Sequence, residues 1–78
     1  MNLQETKLMV GTRIANVRES QGLSQRRFSL MIELDRVTLS RIESGIGNPT
    51  IETLHRIADG LGVDIAEFVI VESSPAPK

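Results

Sequence analysis

The residues of this sequence best suited to contact another molecule lie close together near the middle of the chain. Arg36 carries a planar fork of N–H donors that matches the O6 and N7 acceptors of guanine, and Val37 offers an apolar surface to the methyl group of thymine. Arg41 follows Val37 by four residues, so the two share one face of a helix. Thr38 and Ser40 add hydroxyl groups that reach phosphate or base edges. This face predicts contacts with duplex DNA, although any solvated helix surface shows the same residue types.

Arrangements suited to catalysis or to metal binding are missing from the sequence. The serines have no His and Asp placed to activate them as nucleophiles. His55 is the single histidine and there is no cysteine, so no set of metal ligands is expected. The glycines do not follow the G-x-x-x-x-G-K spacing of a phosphate-binding loop. The sequence therefore predicts a protein that is not an enzyme and that uses no metal, cofactor or small-molecule ligand.

Two short helices must position the residues between 36 and 44. Ser24 and Asp35 are both favourable N-cap residues, and each precedes a short amphipathic segment. The first segment turns Phe28 and either Met31 or Ile32 inward, and the second buries two apolar residues of its own, Leu39 and Ile42. Two capped helices joined by a very short turn cross steeply, which lets the second enter a major groove while the first spans the DNA backbone. Residues 24–44 therefore predict a helix-turn-helix.

Three further helices complete an all-α fold of five helices. Apolar periodicity predicts a first helix over about residues 5–21, which ends at Gly22. Gly11 inside it costs about 1 kcal/mol relative to Ala, which indicates close packing against another helix. A fourth helix, capped by Thr50, ends near residue 62. We expect its inner face to hold Ile51, Leu54, Ile57, Ala58 and Leu61.

The C-terminal part contains a short fifth helix and a tail. Asp64 and Glu67 have the spacing of a capping box that opens the fifth helix. Residues 73–78 are rich in serine and proline and are expected to be disordered. One domain over residues 1–72 remains, which agrees with a total length of 78 residues.

Composition limits the environment in which the protein acts. The longest apolar runs, residues 8–10 and 68–71, are far shorter than a membrane span, and the N-terminus lacks the layout of a signal peptide. We therefore expect a soluble cytoplasmic protein with no membrane partner. The net charge is −1, but residues 1–45 carry seven Lys/Arg against five Asp/Glu, and residues 46–78 carry two against five. The mildly basic charge of residues 1–45 is compatible with a single DNA-binding face, and it is equally compatible with an ordinary dipolar surface.

Phosphate contacts need not come from many cations. The N-terminus of a helix presents free backbone N–H groups and a partial positive charge. Three capped helix starts lie near the predicted face, and Gln25, Arg26 and Asn48 add side-chain donors close to them. With so low a net charge, we expect modest non-specific affinity and a shallow dependence of binding on salt.

The segments GLSQRRF (22–28), SRIESG (40–45), NPT (48–50) and LHRIADGLGV (54–63) occur in this order. They make residues 8–68 resemble the Cro/phage-repressor (Xre-like) helix-turn-helix family. The resemblance implies a five-helix, lambda-repressor-like domain with its helix-turn-helix at the second and third helices. It also implies a sequence-specific, double-stranded DNA-binding transcriptional regulator that acts as a homodimer on an inverted repeat. Within the family, the segment Leu34-Asp35-Arg36, followed by Thr38 and Ser40, is reminiscent of restriction–modification controller proteins.

The resemblance also implies roles for single residues. Gln25 would contact a DNA phosphate and join a hydrogen-bond network. The residues that would read bases are Arg36, Val37 and Arg41. The DNA backbone would be contacted by Thr38, Ser40 and Asn48. Arg18 and Glu43 would form a buried structural ion pair, so Arg18 is not counted as a DNA contact. The sequence departs from the family pattern at three positions: Arg27 replaces a frequent Glu, Ser29 replaces the Ala of the helix crossing, and Glu33 replaces a small turn residue.

The apolar run at residues 68–71 admits two interpretations. In the first, Phe68 closes the core and the remainder packs against a second subunit, together with Leu61 and Val63. In the second, the whole run caps its own core. We favour the dimer because two half-sites on DNA require two copies. The alternative function is a protein-interaction module of the same fold, antitoxin-like or bridging, without specific DNA binding.

Overall fold

The computed structural model describes residues 1–71 and folds them into five helices, with no β-strand in that part of the chain. The predicted all-α architecture with five helices is confirmed. The helices are α1 (Leu3–Ser20), α2 (Gln25–Met31), α3 (Arg36–Glu43), α4 (Ile51–Leu61) and α5 (Ala66–Val69). None of the described helices is both long and apolar enough to cross a bilayer. The tail expected to be disordered, residues 73–78, lies outside the described residues.

Side chains cap the N-termini of the first four helices. Ser24, Asp35 and Thr50 each accept a hydrogen bond from the backbone N–H three residues further on, at 3.0–3.1 Å. Asn2 and Glu5 form a full capping box, in which Asn2 Oδ1 accepts from the Glu5 N–H at 2.8 Å and Glu5 Oε1 accepts from the Asn2 N–H at 2.9 Å. Because this box satisfies the first free N–H groups, α1 starts at Leu3, two residues before the predicted start.

One apolar core, mostly aliphatic with two phenylalanines, joins all five helices. Its buried apolar members are Val10, Ile14, Phe28, Ile32, Leu39, Ile42, Leu54, Ile57, Ala58, Leu61 and Phe68. Of the two alternatives for α2, Ile32 is buried and Met31 is exposed. The expectation for Ile51 is wrong: it stands in the first turn of α4, where the core has ended, and its side chain is 73% exposed.

Gly11 allows α1 and α3 to touch backbone to backbone. A Cβ atom at this position would lie 2.3 Å from the carbonyl oxygen of Ile42 and 2.7 Å from that of Glu43. The close packing predicted for Gly11 is therefore confirmed. Gln4 strengthens the same contact, since its Nε2 donates to the Gly45 carbonyl at 3.3 Å. The C-terminal end of α3 is thus seated directly on α1.

The predicted capping box at α5 does not form. Asp64 Oδ1 accepts from the Ala66 N–H, two residues on, at 2.8 Å, and no side-chain hydrogen bond caps the assigned N-cap, Ile65. The Asp64 side chain is thus bonded within a local turn, and α5 spans only four residues. Phe68 is nevertheless fully buried and fixes α5 against the core.

Candidate nucleic-acid interface

The turn between α2 and α3 brings the two helices together within a few residues. Glu33 adopts the left-handed conformation, with φ at +56°, and this reverses the chain direction just after the end of α2. The next residue, Leu34, donates its N–H to the Ser29 carbonyl at 2.9 Å. Asp35 then caps α3. The strain that an L-residue accepts at positive φ is the cost of so short a turn.

Ser29 lies buried where α2 crosses its neighbours and keeps its hydroxyl satisfied locally. Its Oγ donates to the Arg26 carbonyl at 2.9 Å. A serine in place of alanine is therefore compatible with this crossing, because the hydroxyl bonds back to its own helix. The neighbouring Phe28 is fully buried and belongs to the same core cluster as Leu39 and Ile42 of α3.

Helix α3 is buried on one side and exposed on the other. Leu39 and Ile42 are buried in the core. The opposite face exposes Arg36, Val37, Thr38 and Arg41, whereas Ser40 is half-buried. Neither of the two arginines forms an ion pair with any residue in the 1–71 part of the chain. The guanidinium groups are thus available to an external partner.

Two shallow depressions flank the exposed face of α3. We call the first the reading groove: it has a volume of about 290 Å³ and is lined by Gln25, Arg36, Val37, Ser40 and Arg41. We call the second the loop cleft: it has a volume of about 260 Å³ and lies between α3 and the loop that leads to α4. Its lining consists of Thr38, Arg41, Ile42, Ile46, Gly47, Asn48, Pro49, Thr50 and Thr53.

Most of the sequence-predicted contact residues therefore fall into two neighbouring sites that share Arg41. Arg26 is exposed on α2 but lines neither depression. Sequence reasoning missed Ile46, an exposed apolar residue in the loop cleft, and Thr53. An isolated isoleucine between Gly45 and Gly47, directly after α3, was the signal that could have identified it.

A buried ion pair between α1 and α3 supports the candidate interface on its core side. Arg18 Nε donates to Glu43 Oε2 at 2.7 Å and Arg18 Nη2 to Glu43 Oε1 at 2.9 Å; the two side chains are 7% and 5% exposed. The structure thus brings together the two residues that the family resemblance pairs. The hydrogen bond between Arg18 and Glu43 raises the pKa of Arg18 above its ordinary value, although burial acts in the opposite direction.

The ion pair links three helices. Arg18 lies near the end of α1, and its Nη1 also donates to the Leu23 carbonyl at 2.5 Å, which ties down the turn before α2. Glu43 is the last residue of α3. Gln25, the first residue of α2, donates from Nε2 to Glu43 Oε1 at 2.8 Å. Since these bonds join the ends of α1 and α3 to the start of α2, they fix the angle at which α3 projects.

No group of acidic, histidine or cysteine side chains within residues 1–71 is arranged to hold a metal ion. The described surface around α3 is instead rich in polar groups, with two arginines, four hydroxyl groups and the amides of Gln25 and Asn48. Such a set suits the phosphates and base edges of a nucleic acid.

Comparison with known proteins agrees with this geometry. The model of the helix-turn-helix family HTH_3 matches residues 14–68. Control protein C.MunI from Mycoplasma sp is 35% identical over 67 residues, which cover 85% of this chain and 90% of that protein. The regulator PuuR from Escherichia coli is 32% identical over 73 residues, but the match covers only 40% of its length and 94% of this chain.

Among solved structures, the restriction-modification controller protein C.AhdI from Aeromonas hydrophila superposes with a TM-score of 0.76. The two sequences are 26% identical, and the superposition covers 78% of this chain and 92% of C.AhdI. The helical arrangement is thus similar over most of both chains.

Proposed function

The chain belongs to the HTH_3 helix-turn-helix family and is a DNA-binding transcriptional regulator, and we propose that it reads the major groove with the exposed face of α3. The observation that carries this proposal is the pair of arginines, Arg36 and Arg41, on a helix anchored by Leu39 and Ile42. Neither arginine forms an ion pair within residues 1–71. The alternative, an interaction module without DNA binding, is not favoured, because the named relatives are transcriptional regulators or control proteins.

Base reading falls to the residues of the reading groove. Arg36 presents its bidentate fork to guanine, Val37 packs on a thymine methyl group, and Arg41 reaches a second base one turn along the helix. Each arginine contributes about 1–3 kcal/mol at a specific site. With a net charge of −1, the protein gains little from bulk electrostatics. These specific contacts therefore carry most of the affinity.

Backbone contacts come from the edges of the same surface. Thr38, Ser40 and Asn48 donate to phosphates beside α3. Arg26 and Gln25 do so from α2, since Gln25 Nε2 has a second N–H besides the one that it donates to Glu43. The capped starts of α3 and α4 add backbone N–H groups. Because few of these donors are charged, the salt slope of binding is shallow and specific affinity survives moderate salt.

The proposal is tested by selecting bound duplexes from a random DNA pool and measuring affinity by fluorescence anisotropy. Arg36→Ala and Arg41→Ala should each weaken binding to the selected site by about 1–3 kcal/mol and relax preference at one base position. Arg56→Ala is the control, since Arg56 is exposed on α4 and lines neither depression. Failure to select any DNA, or equal losses in all three variants, would refute α3 as the reading helix.

We further propose that the protein binds an inverted repeat as a homodimer through residues 69–71. Phe68 closes the core, whereas Val69, Ile70 and Val71 are 40%, 59% and 49% exposed. Leu61 was expected to join this interface, but it is 4% exposed and belongs to the core. Val63 is half-buried. The exposed run therefore forms the centre of the proposed contact.

Sedimentation velocity tests the dimer separately from DNA reading. Ile70→Ser should shift a dimer toward monomer without unfolding the domain, because the contact that Arg13 makes with residue 70 uses the backbone carbonyl. A wild-type protein that stays monomeric at micromolar concentration, even with a palindromic site, would contradict the homodimer.

The remaining expectations are consistent with this role. We propose that the protein acts in the cytoplasm and that it has no enzymatic role. Residues 1–72 serve as one DNA-binding domain, in which the described helices share a single core.

A further inference from the structure

A third depression, next to the loop cleft, reaches into the core of the domain. We call it the apolar groove; its volume is about 230 Å³. Four helices and the loop after α3 supply its apolar lining, which consists of Leu3, Val10, Ile42, Pro49, Leu54 and Val69. Three of these residues, Val10, Ile42 and Leu54, belong to the core. The groove therefore opens the core to a small apolar group from outside.

One positive charge lies beside this apolar lining. Among the described residues that line the groove, Lys7 is the only charged one. It is half-buried, and no ion pair joins it to any residue between 1 and 71. The Thr6 hydroxyl already donates to the Asn2 carbonyl at 3.1 Å. The donors that the groove offers to a ligand are therefore the Lys7 ammonium and the amide of Asn48, which is exposed.

We propose that the apolar groove binds a small aliphatic carboxylate, whose chain packs on the core residues and whose oxygens accept hydrogen bonds from Lys7 and Asn48. An apolar lining with a few polar groups that fix orientation is typical of ligand sites. A cavity of about 150 Å³ accepts benzene, so at the same ratio a groove of 230 Å³ holds about nine non-hydrogen atoms. Octanoate, with its carboxylate at the rim, has this size. The sequence predicted no small-molecule ligand, because the lining comes from five separate segments that only the fold brings together.

The apolar groove shares part of its wall with the loop cleft. Ile42, Gly47, Asn48 and Pro49 line both depressions. Asn48 is the residue among them that the proposed function assigns to a DNA phosphate. A carboxylate and a phosphate both accept from its amide, and two anions at one amide repel each other. The ligand should therefore weaken DNA binding, and DNA should weaken ligand binding by the same factor. This effect on DNA rests on the proposed function, whereas the ligand site does not.

Titration of the DNA-free protein with octanoate, followed by the NMR shifts of backbone amides, tests the site. Affinity should rise by up to about fourfold for each methylene from butanoate to octanoate, the effect of burying one such group. Octylammonium has the same chain with the opposite charge, so it should bind at least about tenfold more weakly beside Lys7. Lys7→Met keeps the apolar stem and should lose about tenfold in octanoate affinity. Arg56→Met is the matched control, since Arg56 is exposed on α4 and does not line the groove.

Fluorescence anisotropy on the selected DNA site, with saturating octanoate, tests the effect on DNA. The wild-type affinity should fall about tenfold, the effect of losing one hydrogen bond to a charged group. Asn48→Ala should bind DNA about tenfold more weakly from the start, and octanoate should then reduce its affinity by less than about twofold. Lys7→Met should bind DNA as the wild type does and should respond less to octanoate. Acetate at the same concentration controls for ionic strength, because it carries the carboxylate without the chain.

The two experiments separate the ligand site from the proposed function. If octanoate causes no saturable shifts, or if octylammonium binds as tightly, the site is overturned. If octanoate binds the Ile70→Ser variant but not the wild type, a second copy of the chain covers the groove, which also overturns the site. If octanoate binds but leaves DNA affinity unchanged, or weakens Asn48→Ala as much as the wild type, the competition at Asn48 is overturned. If the wild type selects no DNA, the proposed function fails, and the titration without DNA still decides the site.

Discussion

Replacing Gly11 by Ala sets helix propensity against packing. Propensity alone predicts a gain of about 1 kcal/mol, since Gly is the poorest ordinary residue within a helix. The added Cβ, however, would lie 2.3 Å from the Ile42 carbonyl oxygen, 2.7 Å from the Glu43 oxygen and 2.9 Å from the Glu43 carbonyl carbon. A close carbon–oxygen contact is about 3.3 Å. The neighbouring backbone must therefore move by about 1 Å.

The size of the loss follows from which atoms are in the way. They belong to the backbone of the last turn of α3, so no rotamer change relieves the contact, and the overpacking cost lies near the upper end of the usual range of about 1–3 kcal/mol. After the propensity gain is subtracted, Gly11→Ala should destabilise the domain by about 2 kcal/mol. For a domain of this size that lowers the melting temperature by roughly 8–16 °C.

Thermal unfolding followed by circular dichroism measures this effect, with Thr12→Ala as the control. Thr12 is exposed on the same helix, so its replacement tests propensity alone and should raise the melting temperature slightly. A higher melting temperature for Gly11→Ala than for the wild type would refute the close approach of α1 and α3. If the contact is real, the folded variant should also bind DNA more weakly, because α3 is displaced.

Three further changes test the supports of α3 and α1. Glu33→Gly should raise the free energy of unfolding in urea by up to about 1 kcal/mol, because φ is +56° at this residue. Gly removes the backbone strain, and its greater freedom in the unfolded chain offsets only part of that gain. A lower urea midpoint than that of the wild type would contradict the strained turn. Arg18→Met should lower the free energy of unfolding in urea by about 3–5 kcal/mol, since it leaves the Glu43 charge buried without its partner. The double variant Arg18→Met, Glu43→Leu should recover stability, because it removes the unpaired charge as well. A single variant as stable as the wild type would be inconsistent with the buried pair. Asn2→Ala should cost about 1 kcal/mol in thermal melts by removing the capping box, whereas Asn16→Ala, on the exposed face of the same helix, should not lower stability.

The features that the sequence predicted are those decided by neighbours along the chain. Ser24, Asp35 and Thr50 cap helices through atoms three residues away, and the stripes that bury Leu39 and Ile42 follow from helical period alone. Gly11 was informative because glycine within an amphipathic helix has few other uses. The exposed face of α3 could therefore be identified before any coordinates were known.

Other features depended on contacts between distant segments. Ile51 has the periodicity of a core residue, but only the extent of the packed helices shows that its turn lies outside the core. Leu61 is apolar and near the C-terminal run, and only its burial removes it from the proposed dimer surface. The orientation of Gln25 depends on Glu43, 18 residues away, and on Arg18, 25 residues from Glu43. Amino-acid type determines which hydrogen bonds a side chain is able to make, whereas the packing of the helices determines which of them form and which atoms remain free for DNA.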